Sequence, residues 1–233
     1  MRLHRFYTKT PINSKKFDIS DKELVHQWKS VFRYNVGSQV IIFDGSGVDY
    51  LCLISSLRNS GATLAVIQEM KKEGKVSHKN IWICLALIKK DNFELSVQKL
   101  TELGVTHIVP VVCERSEKKK INKERLEKIA IEASEQSGRG DIPFVHELSN
   151  FPKVLDSDLL PNNAIYLDGK GEPLSEKIKK DIRDLVVFVG PEGGWSDNET
   201  KEFSKHNIPA YSIGDQTLRA ETAAIAISSL LLL

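Results

Sequence analysis

Long apolar runs are missing from this sequence. The most apolar stretch closes the chain at Leu230-Leu231-Leu232-Leu233, yet it reaches only about 12 residues where roughly 20 are needed to cross a bilayer. A buried terminal helix is expected instead. The opening residues are polar and basic and lack the apolar core of a secretory signal, so the expected location is the cytoplasm. Cysteine is scarce: Cys52, Cys84 and Cys113 lie far apart in apolar surroundings and read as reduced core residues. The six histidines have no metal-ligand spacing and no Cys-x-x-Cys accompanies them, which argues against a zinc site. An excess of one charge is also lacking, with 33 Lys+Arg against 31 Asp+Glu and a net charge of +2. Bulk charge therefore points to no nucleic-acid partner, and any basic surface must be local. Its candidates are Arg2, His4 and Arg5 at the start, the run Lys118-Lys119-Lys120, and Arg139.

What is present is an ordinary core-forming composition, 41% hydrophobic and 27% charged, over 233 residues. That length allows one large domain or two. Residues 40–43, 50–54 and 62–67 are short apolar runs separated by turn signals such as Asp44-Gly45-Ser46-Gly47, the pattern of a hairpin-rich small barrel. Residues 21–32 are expected to be helical, with Leu24, Gln27, Trp28 and Val31 at helical spacing. Residues 70–80 are charged, contain Gly74 and have no hydrophobic pattern, so a linker is expected with a boundary near Lys75. From Ile81 the rhythm changes. Apolar strands at 81–88, 105–112, 164–167 and 185–189 alternate with helices at 93–103, 122–136 and 173–180, the first with Asp91 or Asn92 as its cap and Gly104 as its stop. Strands that are apolar throughout and separated by helices imply an α/β unit with a parallel sheet.

The strand 185–189 runs into Gly190-Pro191-Glu192-Gly193-Gly194-Trp195, and Ser196 and Glu199 then have the spacing of a capping box. Glycines at the carboxyl end of a central parallel strand let a ligand approach the backbone; they equally suit a tight turn. The loop is no phosphate loop, because Trp195 and Ser196 stand where lysine and a hydroxyl should follow, and it is not Gly-x-Gly-x-x-Gly. A second segment, residues 213–224, contains a polar loop and a small-residue helix opening near Leu218. Arg219 and Glu221 at its start fit either solvent-facing charge or chemistry.

Taken together, Gly190-Pro191-Glu192-Gly193-Gly194 and Leu218-Arg219-Ala220-Glu221-Thr222-Ala223 resemble the paired signature of the ribosomal RNA small-subunit uridine-N3 methyltransferases of the SPOUT superfamily. His4-Arg5-Phe6, residues 26–33, Gln98-Lys99, Glu102-Leu103-Gly104, Arg115-Ser116 and Glu135-Gln136-Ser137 with Arg139 extend the resemblance along the chain. Thr217 departs from it, standing where the family usually has an aliphatic residue.

The resemblance implies an N-terminal PUA-like β-barrel over residues 1–74, binding RNA, and a SPOUT methyltransferase domain over 75–233. The latter is an α/β domain with a parallel sheet and a C-terminal trefoil knot, an exception to the rule against knots. It implies S-adenosylmethionine as methyl donor, held by Leu167, Asp168 and Gly169; by Val189, Gly190, Pro191, Glu192, Gly193 and Gly194; and by Ile213, Gly214, Leu218, Arg219, Thr222 and Ala223. The acceptor it implies is N3 of uridine 1498 in 16S ribosomal RNA, within the assembled small subunit, and the enzyme is a homodimer acting without metal or membrane. Methylation at N3 requires loss of the imide proton. Arg219 is expected to stabilise the resulting charge, and Glu221 either to accept the proton or to serve as a structural partner of Arg219 or of the opposing subunit. Arg2, His4, Arg5, Arg33, Arg115 and Arg139 are expected on the RNA surface.

Overall fold

In the computed structural model, residues 3–71, 79–116, 120–175 and 183–233 are described. Arg2, Lys118 and Lys119 lie outside them, as do residues 72–78 of the expected linker and 176–180 of the expected helix. Internal contacts divide the chain into two units: Met1–Val76 together with Ser134–Asp141, and Ser77–Ala133 together with Ile142–Leu233.

In the first unit, alternating apolar residues produce strands β1 (Arg5–Tyr7), β2 (Lys16–Ile19), β3 (Gln39–Phe43), β4 (Val48–Arg58) and β5 (Gly61–Lys71). They form one sheet in the order β1-β3-β4-β5-β2, antiparallel except for β1 beside β3. Among the described residues no pairing joins β1 to β2, so the sheet is open, whereas a closed barrel was expected. The helix Lys22–Ser30 starts where Asp21 accepts hydrogen bonds from the Glu23 and Leu24 N–H groups. It buries Leu24, Val25 and Trp28. Val31, expected on that stripe, is 67% exposed because the helix ends at Ser30, before it.

Arg5 is fixed inside this unit. Its Nε and Nη2 donate to the Asp49 carboxylate, its Nη1 donates to the Ser134 carbonyl at 2.8 Å, and its guanidinium lies 3.4 Å from the centre of the Phe43 ring. The returning segment Ser134–Asp141 is held further by Glu135, which accepts from the Tyr7 N–H, and by Gly140, whose carbonyl accepts from the Gly47 N–H. Arg139, also only 8% exposed at its side chain, is paired with Asp141.

The second unit contains β6 (Asn80–Ala86), β7 (His107–Val112), β8 (Phe144–Val145), β9 (Ser149–Asn150), β10 (Ala164–Pro173), β11 (Asp184–Val189) and β12 (Ala210–Ser212). Their order is β12-β10-β11-β6-β7-β8, with β9 also against β7, and every pairing is parallel. Strand alternation explains the two-sided core. Ile81, Ile83 and Leu85 of β6 pack with Ala224, Ile227 and Leu231 of the last helix, Ala220–Leu232, while Trp82 and Cys84 pack with Phe188 and Phe203. The helix Lys90–Leu103 stops at Gly104, whose φ of +102° is the left-handed stop glycine supplies. Its cap is Lys89, without a side-chain bond, and Asp91 sits in the first turn rather than capping it. The helix Lys123–Ser137 is capped by Asn122, whose side chain accepts from the Arg125 N–H.

Strand β10 is longer than the apolar run that announces it. Leu167 and Glu172 both align with Tyr211 of β12, so residues 168–171 leave the strand and return to it. Gly171 is needed at that return, since a Cβ there would lie 2.6 Å from the Tyr211 nitrogen. Pro173, expected to open a helix, ends this strand. The three cysteines are buried and unbridged, and burial pushes the Cys52 thiol up to about 12. Among the described residues no helix is long and apolar enough to cross a membrane, and no group of three His, Cys, Asp or Glu residues could hold a metal ion.

Candidate functional site

Beyond the carboxyl ends of β10, β11 and β12, three loops and the start of the last helix enclose a cavity of about 470 Å³. Carboxyl ends of parallel strands are where open α/β sheets place their ligands. Leu167, Asp168 and Gly169 line it from the first loop; Val189, Gly190, Pro191, Glu192 and Gly194 from the second; Ile213, Gly214 and Leu218 from the third; and Ala223 from the helix. All of these were expected from sequence. Lys170, Trp195, Tyr211, Ser212, residues 215–217 and Ala220 also line it and were missed, although each lies within two residues of one that was expected there.

The second loop is braced from several sides. The Trp195 Nε1–H donates to the Leu167 carbonyl at 2.9 Å, and a Cβ on Gly190 would come within 3.0 Å of the Trp195 ring. Gly194 has a φ of +69°, and its N–H closes a turn onto the Pro191 carbonyl. The capping box is present: Ser196 Oγ accepts from the Glu199 N–H, and Glu199 Oε2 accepts from the Ser196 N–H at 2.8 Å. Glu199, 2% exposed, also accepts from the Glu114 N–H through Oε1 at 2.9 Å. A buried carboxylate satisfied by two backbone donors fixes the start of the helix Asp197–Lys205 and hence the end of the loop.

Several expected residues sit elsewhere. Arg115 Nη1 donates to the Gly193 carbonyl at 2.7 Å and to the Trp195 carbonyl at 3.1 Å, so this arginine fastens the loop. Gly193 consequently does not line the cavity; a Cβ on it would meet the Arg115 side chain at 3.3 Å. Thr222 is exposed and outside the lining. Glu221 is buried, 7% exposed, and among the described residues its Oε2 has no hydrogen-bond partner. On a helix it projects about 100° away from Ala220 and about 160° away from Ala223, the two residues of this helix that line the cavity. The side chain expected to accept the proton is therefore turned into the protein.

Arg219 precedes the first turn of the last helix with extended backbone and is exposed. Among the described residues its guanidinium has no hydrogen bond or ion pair, and both neighbours, Leu218 and Ala220, line the cavity. Of the residues expected on RNA, His4 and Arg33 are exposed in the first unit. The His4 ring lies 4.5 Å from that of Phe32, and Arg33 has a φ of +55°, uncommon for a residue with a side chain. Arg5 and Arg139, each 8% exposed at the side chain, are occupied by their ion pairs and offer no surface for phosphate.

A parallel sheet with a glycine-lined cavity at its carboxyl edge defines a ligand-binding α/β unit, and the sequence profile of the RNA methyltransferase domain matches residues 75–232. The chain belongs to this RNA methyltransferase family. Relatives that match it over most of its length include proteins designated ribosomal RNA small subunit methyltransferase E. The protein of that name from Bacillus subtilis is 30% identical over 224 residues, covering 90% of this chain and 86% of the relative. That from Rickettsia conorii is 28% identical over 232 residues, covering 97% and 93%. The crystal structure of the Neisseria gonorrhoeae protein of the same designation, bound to S-adenosyl methionine, superposes with a TM-score of 0.86 at 27% identity, covering 98% of this chain and 96% of that one.

Proposed function

We propose that this chain transfers a methyl group from S-adenosylmethionine to N3 of a uridine in 16S ribosomal RNA. The observation that carries the chemistry is Arg219, a guanidinium without a protein partner among the described residues, standing between two residues of the cavity wall. The cavity fits the donor. Its volume of about 470 Å³ is that of a small-molecule site. Its lining carries Asp168, Glu192 and Asp215 against Lys170 alone, a balance that favours a cationic ligand. The lining residues of the three loops, Asp168, Gly190, Gly194 and Ile213 among them, would hold the donor. When bound, it supplies an electrophilic methyl group on a positively charged sulfur.

Neutral uracil has no lone pair at N3 for attack, so the base must pass toward its anion. Arg219 stabilises the negative charge that develops on the uracil carbonyl oxygens, a contribution on the order of a hundredfold in rate. Glu221 faces away, so the imide proton leaves to water. Uridine 1498 as the target rests on the resemblance of the two loop segments; the designation shared by the relatives supports small-subunit RNA. The assembled subunit is the proposed acceptor, the cytoplasm the proposed location, and His4 and Arg33 the proposed RNA contacts of a PUA-like first unit.

The reading includes the trefoil knot of SPOUT proteins. It is supported by the double alignment of Tyr211 with Leu167 and Glu172, which closes residues 168–171 into a loop across β12. It also includes a homodimer, supported by the last helix: residues 222–233 have no charged side chain, and Leu230 and Leu233 are exposed. Mass spectrometry of small-subunit RNA digested after incubation with the enzyme and donor tests the activity. N3-methyluridine is expected; ribose methylation alone would overturn the assignment.

A further inference from the structure

The outward face of β2, β5 and β4 is a trough with small residues along its floor. Asp18 is paired with Thr63 and Thr63 with Ser56, one row across three strands. In the row toward the hairpin turn Gly61 stands opposite Arg58; on the other side Ala65 stands opposite Lys16. Gly61 has no room for a side chain, since a Cβ would lie 2.7 Å from the Ile19 carbonyl oxygen. The result is a concavity of about 490 Å³ whose walls include Lys16, Asp18, Ser56, Arg58, Ser60 and Thr63.

Its chemistry is that of a polyanion site. Among the described residues the ammonium of Lys16 and the guanidinium of Arg58 have no protein partner, and the same holds for the hydroxyls of Ser56 and Ser60. From the register, the two cations stand at diagonal ends of the trough, roughly 16 Å apart between their backbones. Among the described residues one carboxylate faces the trough: Asp18, which accepts from the Thr63 hydroxyl at 2.6 Å through one oxygen. Among the described residues no aromatic ring lines it.

We infer that this trough binds a stretch of RNA backbone. The inference rests on the RNA methyltransferase reading and adds a contact surface away from His4 and Arg33. Arg58 and Lys16 take two phosphates, and the serine hydroxyls donate to phosphate oxygens. Asp18 accepts from a ribose 2′-hydroxyl, the group that separates RNA from DNA. With no ring for a base to stack on, the contact is indifferent to sequence and serves to hold the substrate.

The test is the binding of unmethylated small ribosomal subunits to the wild type and to the Lys16→Ala/Arg58→Ala double variant, at several KCl concentrations and constant magnesium. Both side chains are exposed on strand ends, and a thermal melt together with S-adenosylhomocysteine affinity checks that the variant is folded. Loss of two phosphate contacts predicts a fall of about 1.4–1.8 in the slope of log K against log salt, and at least about a tenfold loss of affinity near 0.1 M salt. An unchanged slope and affinity in the variant would overturn the trough while leaving the methyltransferase reading intact. Failure of the wild type to bind or methylate the subunits would overturn both.

Discussion

The indole N–H of Trp195 donates to the carbonyl of Leu167 across 28 residues of sequence, joining two of the three cavity loops through one hydrogen bond of 2.9 Å. Trp195→Phe keeps an aromatic ring beside Gly190 and removes the bond. A neutral hydrogen bond contributes about 0.5–1.5 kcal/mol, so S-adenosylhomocysteine affinity should fall roughly two- to tenfold with little change in melting temperature. Calorimetric titration reads this directly, and equal affinity would mean that the ring alone positions the loops.

Gly194→Val places a β-branched residue at a φ of +69°. The cost is conformational, because nothing lies within 4 Å of the added Cβ. Strain of about 1–3 kcal/mol is expected to displace the loop and abolish the heat of S-adenosylhomocysteine binding. Gly193→Ala, whose Cβ would meet the Cβ and Cδ of Arg115 at 3.3 Å and requires a shift of only a few tenths of an ångström there, should retain binding. Loss in the second variant with retention in the first would reverse the assignment of which glycine faces the ligand.

For the chemical step, Arg219→Ala should lower the single-turnover methylation rate by about a hundredfold or more at neutral pH, with much smaller effects on donor and RNA binding. Raising the pH should partly rescue it, since solvent then supplies the uracil anion. Arg219→Lys should be intermediate. Glu221→Gln, away from the cavity wall, should stay within a few-fold of wild type. A hundredfold fall there would restore Glu221 as the proton acceptor.

Arg5→Met should act on stability rather than on RNA. It removes the ion pair between Arg5 and Asp49, whose side chains are 8% and 7% exposed. Breaking a buried pair from one side typically costs about 3–5 kcal/mol, which urea denaturation would register. The salt dependence of RNA binding should not move in a variant that remains folded; a reduced slope would return Arg5 to the RNA surface.

The strands β6 and β11 were legible because they are apolar on both faces, and Gly104 and the Ser196–Glu199 capping box are local signals that act within a few residues. Strands β1, β8, β9 and β12, of two or three residues each, are too short to show a period and exist through their partners. The three loops of the cavity were readable from their glycines and small residues. Which way a side chain turns within them was not: Gly193 and Gly194 are alike in sequence and differ in backbone angle, and Glu221 and Ala223 differ only in helical phase. Arg5 was recognisable as a cation, but its partners, Asp49 and Ser134, lie 44 and 129 residues away.

That last separation bears on synthesis of the chain. The first unit contains Arg5 and Tyr7, yet the Ser134 carbonyl and the Glu135 carboxylate they bind are not made until nearly sixty further residues have followed Val76. At about 5–20 residues per second the ribosome needs roughly 3–12 s to supply them. During that interval the Arg5 guanidinium has its hydrogen bonds to Asp49 but not the one to Ser134, and a fragment cut near Lys75 would lack that last bond for good.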